Sequence, residues 1–220
     1  PGASPTIILR PHQKAAVWLI LQTPNTLLAH VVGSGKTITV CAAAMELKRL
    51  GLARKPMFVV PNHMLGQFSA EFLALYPAAN ILVAGKADFE AGHRRWLMSR
   101  IATNNWDAVI VTHSGFERLP ISAKAREEFL REQKEELEDC IREQKGKVEG
   151  GPGTRLVKEL ERAKKRLEVR LKTLAAEHRK DNTLTFEELG VDRLFIDESQ
   201  AFKNLFYVTK MTRVAGLPQT

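Results

Sequence analysis

The chain has little of what staples, anchors or exports a protein. Two cysteines among 220 residues, Cys41 and Cys140, exclude a disulfide framework and suit a reducing compartment. Both read as packing residues, Cys41 in an apolar helix and Cys140 in a charged one. No long hydrophobic run is present: the longest, Ala15 to Leu21, is far short of the ~18 residues a membrane helix needs. No basic leader with an apolar core opens the chain, so a cytoplasmic location in a bacterial, phage-encoded or plasmid-encoded setting is the expectation. The six histidines, His12, His30, His63, His93, His113 and His178, lack cysteine or carboxylate partners at metal-ligand spacing, which argues against zinc. Acidic residues are the minority charge, 25 against 33 lysines and arginines, and the net charge of +8 favours a polyanionic partner. Charge alone does not choose between nucleic acid and phosphate.

What is present begins with Val32-Gly33-Ser34-Gly35-Lys36-Thr37, after the apolar run Thr26 to Ala29 and before a helix-compatible stretch. It reads as strand, phosphate-binding loop and helix. Glycine backbone N–H groups approach phosphate oxygens, a lysine neutralises the β/γ charge and a hydroxyl ligands Mg²⁺; Gly33, Gly35, Lys36 and Thr37 supply all three. ATP with Mg²⁺ is the expected ligand. The first glycine of G-x-x-x-x-G-K-[ST] would fall at His30, so the match to the commonest pattern is incomplete.

A second motif lies far downstream, where Arg193-Leu194-Phe195-Ile196-Asp197-Glu198-Ser199-Gln200 sets two adjacent carboxylates at the end of a short apolar strand. Asp197 would hold Mg²⁺ and Glu198 would orient and deprotonate the attacking water, since phosphoryl transfer depends on positioning and charge neutralisation. Read in isolation, an Asp-Glu pair there is equally a helix N-terminus or a turn.

Short strands that are apolar on both faces, near Thr26–Ala29, Met57–Val60, Ile81–Val83, Ala108–Val111 and Leu194–Ile196, alternate with helices near Pro11–Gln22, Lys36–Leu50, His63–Leu75 and Gly92–Thr103. That rhythm predicts a doubly wound α/β sheet, mostly parallel, with its chemistry at the strand C-termini. Lys36, Pro61, Thr112 and Asp197 fall at or just beyond such ends. Trp18, Trp96 and Trp106 read as core or strand-edge packing, with base stacking as the alternative.

One stretch breaks the rhythm. From Ser122 to about Asn182 charged helix formers predominate, interrupted at Glu149-Gly150-Gly151-Pro152-Gly153-Thr154, which predicts an inserted antiparallel helical hairpin over 122–182. Leu156, Leu160, Ala163, Leu167, Leu171, Leu174 and His178 form the apolar stripe of the second arm, and Leu130, Leu137, Ile141 and Val148 the facing stripe of the first. Arms of about 26 residues reach ~40 Å, so the hairpin is expected to project from the body. Residues 123–149 carry 7 basic and 9 acidic groups and residues 154–180 carry 10 and 4. The basic arm reads as a solvated face paired to its acidic neighbour, with a contact to phosphate or a protein partner as the alternative.

On these residues the chain resembles the first motor domain of superfamily 2 DEAD/DEAH-box helicases and translocases, nearest the Snf2-like branch, over most of its length. Leu9-Arg10-Pro11-His12-Gln13 is similar to that family's adenine-reading segment, and Ala29 to Thr37 to its loop, in which the first glycine is commonly absent. Phe58 to Leu65, with Pro61 and Asn62, and Trp106 to Ser114, with Thr112 and His113, resemble its two DNA-facing strand-loop segments. Asp197-Glu198-Ser199-Gln200 stands where the family has Asp-Glu-x-His, so Gln200 replaces the histidine that couples hydrolysis to DNA. More narrowly, Leu47–Phe89 and Phe186–Pro218 are similar to the helicase part of phage- and plasmid-borne methyltransferase-helicase proteins.

The resemblance implies a RecA-like P-loop domain formed by 1–121 and 183–220. Gln13, Gly33, Ser34, Gly35, Lys36 and Thr37 would bind ATP, Thr37 and Asp197 would hold Mg²⁺, and Lys36, Asp197 and Glu198 would serve catalysis. The expected activity is DNA-dependent ATP hydrolysis in a helicase or translocase, with DNA held mostly by its phosphate backbone. Gly216-Leu217-Pro218 precedes a second motor domain in such proteins; none is in this chain, so the fragment is expected to be nearly inactive alone. The alternatives are the motor part of a restriction or antirestriction system, and a non-catalytic protein- or DNA-binding module with a relict nucleotide loop.

Overall fold

The structure, a computed structural model, describes residues 2–145, 153–177 and 184–202. Contacts divide the chain into two compact units, Pro1–Pro120 with Leu184–Ser199 and Ile121–Thr183 with Gln200–Thr220.

The first unit is α/β. In chain order its elements are α1 (Pro11–Gln22), α2 (Lys36–Arg49), β1 (Pro56–Val60), α3 (Leu65–Leu75), β2 (Ile81–Ala84), α4 (Ala91–Thr103), β3 (Ala108–Thr112), the single turn α5 (His113–Phe116) and β4 (Arg193–Ile196). The strands form one sheet in the order β2-β3-β1-β4, every pair parallel. β1 and β3 are buried along their whole length, as Met57 to Val60 and Ala108 to Val111 require when both faces are covered. One face of the sheet gathers Phe58, Val60, Ala108 and Ile110 with Cys41, Ala42 and Ala44 of α2 and Phe68, Phe72 and Leu75 of α3. Burial pushes the Cys41 thiol far above its ordinary range, with Glu71 adding to the rise, so this cysteine is inert packing. Period-two alternation turns Met57, Val59, Val109 and Val111 to the other face, where they are fully buried. α4 packs against the 3-10 turns Lys86–Phe89 and Phe186–Leu189, bringing together buried Leu97, Met98, Ile101, Phe89 and Leu189.

Four expected strands are present, and the fifth is not. Thr26 to Ala29 has no regular secondary structure and makes no ladder with any described strand. Leu27, Val31 and Val32 stand 81%, 78% and 96% exposed, so among the described residues this segment has neither a neighbour that pairs its backbone nor a layer that buries these side chains. Of the tryptophans, only Trp106 is in the core, its indole N–H donated to the Arg100 carbonyl at 2.9 Å. Trp18 and Trp96 are exposed, the latter under the Arg100 guanidinium at 4.4 Å.

The second unit contains α6 (Ala123–Lys145) and α7 (Gly153–Glu177). Leu130, Leu137 and Leu167 are buried, with Leu160, Ala163 and Leu171 packed against them. Lys134 meets Glu168 at 3.3 Å and Glu138 meets Lys164 at 2.8 Å: partners advance one turn in α6 as they retreat one turn in α7, which makes the pairing antiparallel. Val148, Glu149 to Pro152, His178 and Gly216 to Pro218, with the side chains of Leu156 and Leu174, lie outside the described residues.

Candidate functional site

The parallel sheet collects three chain ends along one edge. Val60 lies opposite Thr112, Val59 opposite Ile196, and the Asp197 N–H donates to the Val59 carbonyl at 2.9 Å. Pro61-Asn62, His113-Ser114 and Asp197-Glu198 are therefore neighbours at the C-terminal edge, where an open α/β sheet keeps its ligand crevice. α2 fixes where the glycine loop sits. In its last turn Lys48 donates to the Trp106 carbonyl at 2.7 Å and pairs with Asp107 at 2.8 Å, just before β3 begins. The helix thus runs antiparallel to the strands, and its first turn, with Gly33 to Thr37, points to the C-terminal edge.

The loop Val32 to Gly35 enters α2 through two left-handed glycines, Gly33 at φ 79° and Gly35 at φ 78°. Gln13, 5% exposed, is spent on this turn. Its Oε1 accepts the Arg10 N–H at 2.8 Å, closing the first turn of α1, and its Nε2 donates to the carbonyls of Ser34 and Gly35 at 3.2 and 3.4 Å. His12 Nε2 donates to the same Ser34 carbonyl at 3.1 Å, and Thr39 Oγ1 to Gly35 O at 2.9 Å. Lys36 Nζ folds inward onto the carbonyls of His30 and Val31 at 3.2 and 3.3 Å. Amid these bonds, Ser34 Oγ and His30 Nδ1 are buried without a hydrogen-bond partner. Thr37 is half-buried in the first turn of α2.

At the strand ends, Asn62 Oδ1 accepts the Ser114 hydroxyl at 3.0 Å, tying the loop after β1 to the one after β3. Thr112 is buried, and its Oγ1 accepts the Gly115 N–H at 3.2 Å, capping α5. Pro61 is half-buried and Asn62 exposed. Asp197 is half-buried, while Glu198 is exposed at φ 52°, the one non-glycine residue with positive φ among the described residues. A carboxylate residue held there stores strain of ~1–3 kcal/mol, the kind of expense that clusters at functional sites. Gln200 is exposed in the 3-10 turn Ser199–Phe202.

Residues 18–220 match a family model described as a probable helicase domain. The chain belongs to that family. No curated protein matches it. Membership gives this helicase domain a helicase-type character and, in general terms, a nucleic-acid partner.

Sequence reasoning named His113 only as a DNA-facing residue and missed its bond to Asp197, and it missed Asp192 and Lys55 of the helicase domain altogether. His113 Nε2 reaches the Asp197 carbonyl at 2.8 Å; a carbonyl only accepts, so the imidazole donates. At the opposite edge Asp192 accepts the N–H groups of Arg54 and Lys55 at 2.6 and 3.1 Å, fixing how β4 starts beside β1. Lys55, 8% exposed, donates to the carbonyls of Ile101, Ala102 and Leu189. Burial pulls its ammonium below the ordinary lysine range, and Asp192 partly restores it. A lysine just before an apolar strand is the only signal the sequence offers for this lock.

No described helix is long and apolar enough to cross a membrane. Among the described residues no cluster of three histidine, cysteine or acidic side chains could hold a metal by itself. Mg²⁺ asks for less, since one or two carboxylates plus substrate phosphates suffice.

Proposed function

We propose that this helicase domain is the ATP-binding motor half of a DNA-dependent ATPase of the Snf2-like kind. The observation that carries the reading is the loop itself: two left-handed glycines flank a buried, unsatisfied Ser34 hydroxyl, His30 Nδ1 is likewise buried and unsatisfied, and the Lys36 ammonium is folded against the same turn. Unpaired buried polar atoms cost free energy until a partner arrives, and phosphate oxygens at a helix N-terminus are suited to be that partner. In this reading Gly33, Ser34, Gly35, Lys36 and Thr37 hold the phosphates, Gln13 braces the loop, and Asp197 with Thr37 holds Mg²⁺. Glu198 orients water. When bound, ATP supplies the γ-phosphoryl group and Mg²⁺ neutralises its charge. The loops carrying Pro61, Asn62, Thr112 and His113 meet the DNA backbone, so binding is salt-sensitive and indifferent to base sequence.

Calorimetric titration of Mg·ATP into the chain and into Lys36→Ala tests the reading. Mg²⁺-dependent binding that falls at least tenfold in Lys36→Ala is expected. Equal affinity of the two proteins, or affinity independent of Mg²⁺, would leave a relict loop and overturn it.

A further inference from the structure

We propose that His113 is a positioning residue that couples the two nucleic-acid-facing loops to the carboxylate loop after β4, through its hydrogen bond to the Asp197 backbone. This rests on the nucleotide and DNA reading above and deepens it by naming the regulation of that site.

The path is continuous in hydrogen bonds. Asn62, after β1, accepts the Ser114 hydroxyl at 3.0 Å; Ser114 follows His113 in the first turn of α5; and His113 Nε2 donates to Asp197 O at 2.8 Å. Three loops that leave three different strands are thereby joined, and the last residue joined is the one whose side chain would hold Mg²⁺. Neighbouring contacts make the joint stiff. Thr112 Oγ1 caps α5, Gly115 lies so close to the Phe89 ring that a Cβ there would collide with it, and the Asp197 N–H is held by Val59 O. With its N–H fixed to β1 and its C=O fixed to His113, the Asp197 peptide groups are pinned from both sides, and Glu198 next to it adopts φ 52°. A displacement of α5 by a phosphate backbone lying across Asn62 and Ser114 would be passed to Asp197 by the imidazole that grips its carbonyl. A contiguous set of bonds that biases one element is a physical route along which coupling can travel.

The test measures coupling as a ratio. Mg·ADP is titrated into the full chain by calorimetry, with and without a saturating mixed-sequence DNA duplex, for wild type, His113→Phe and His113→Gln. Phenylalanine keeps a ring of similar size and removes the donor; glutamine carries an amide donor at a reach close to Nε2. DNA is expected to change the wild-type Mg·ADP affinity by about fivefold or more, the lower end of ordinary coupling. His113→Phe is expected to reduce that change to less than twofold and His113→Gln to retain it, a pattern that ring packing alone would reverse. If His113→Phe does not fold, His113→Ala takes its place. A wild-type-sized change in the donor-less variant, or binding of both ligands by wild type with no change at all, overturns the proposal while the nucleotide reading stands. Failure of wild type to bind Mg·ADP overturns that reading, and this proposal with it.

Discussion

The Gln13 amide lies directly against Gly35: its Nε2 donates to the Gly35 carbonyl at 3.4 Å and occupies the place where a side chain on Gly35 would begin. Gly33 has the same left-handed backbone with open space around it. The two glycines therefore predict different costs. Gly33→Ala meets only the backbone penalty, about 1 kcal/mol. Gly35→Ala adds expulsion of a buried carboxamide that makes three hydrogen bonds, and about 2–3 kcal/mol is expected. Thermal or urea unfolding of both variants checks the ranking, and Gly35→Ala should also lose nucleotide affinity.

Ser34→Ala should separate stability from binding. The buried Ser34 hydroxyl has no partner, and replacing an unsatisfied polar group by an apolar one of similar shape is close to neutral or stabilising. The unfolding midpoint is expected to stay level or rise slightly, while Mg·ATP affinity falls. A clear loss of stability would mean that the hydroxyl is satisfied within the loop and not kept for a ligand.

The Lys48–Asp107 pair predicts an acid-side effect. Burial alone would raise the Asp107 carboxyl, but the Lys48 hydrogen bond and charge, with the Asn80 N–H, outweigh it and hold the group below its ordinary value. A carboxyl with a lowered folded-state pKa contributes stability that is present in full at neutral pH and is lost as pH falls through the folded value. Urea unfolding followed from pH 7 downward should show wild type losing stability in the acid range. In Asp107→Asn this component is absent: the variant is weaker at pH 7, and its stability curve approaches that of wild type at low pH.

Much of this fold was legible because its signals are local. Buried parallel strands declare themselves as continuous apolar runs, and Met57 to Val60 and Ala108 to Val111 became β1 and β3 almost residue for residue. The heptad-like spacing of Leu130, Leu137, Leu160 and Leu167 likewise became a real helix pair. Thr26 to Ala29 misled because an apolar run specifies burial only when a partner strand is at hand, and no described strand pairs with it. In the candidate site, Gly33, Gly35 and Lys36 could be read from a motif, since the conformations they need are properties of those residue types. The backbone bonds made by His113, Lys55 and Asp192 could not. Each acts on a backbone group more than forty positions away, and a backbone carbonyl acceptor or N–H donor leaves no mark in side-chain identity. The same limit applies to Thr112, whose hydroxyl also caps α5, a role that the motif resemblance does not carry.

Lys55 makes the sharpest stability prediction. It is buried at the edge of the sheet opposite the candidate site, and its ammonium joins the carbonyls of Ile101 and Ala102 at the end of α4 to that of Leu189 in the turn before β4. Lys55→Met keeps much of the apolar stem but leaves those acceptors buried and unpaired. Hydrogen bonds from charged donors are worth about 1.5–3 kcal/mol each and are not additive, so a loss of about 3 kcal/mol is expected. Arginine should not rescue it, because a planar fork cannot converge on carbonyls arranged around a point charge. The loss should also be local. Leu189 lies just ahead of Asp192, whose carboxylate sets β4 against β1, so releasing the turn should loosen β4 before the rest of the sheet. Hydrogen exchange is expected to accelerate first at Phe195 to Asp197, including the Asp197 N–H held by Val59, while the β1–β3 ladder keeps its protection. Uniform acceleration across all four strands would mean that Lys55 supports the domain as a whole and not the seating of the strand that carries Asp197.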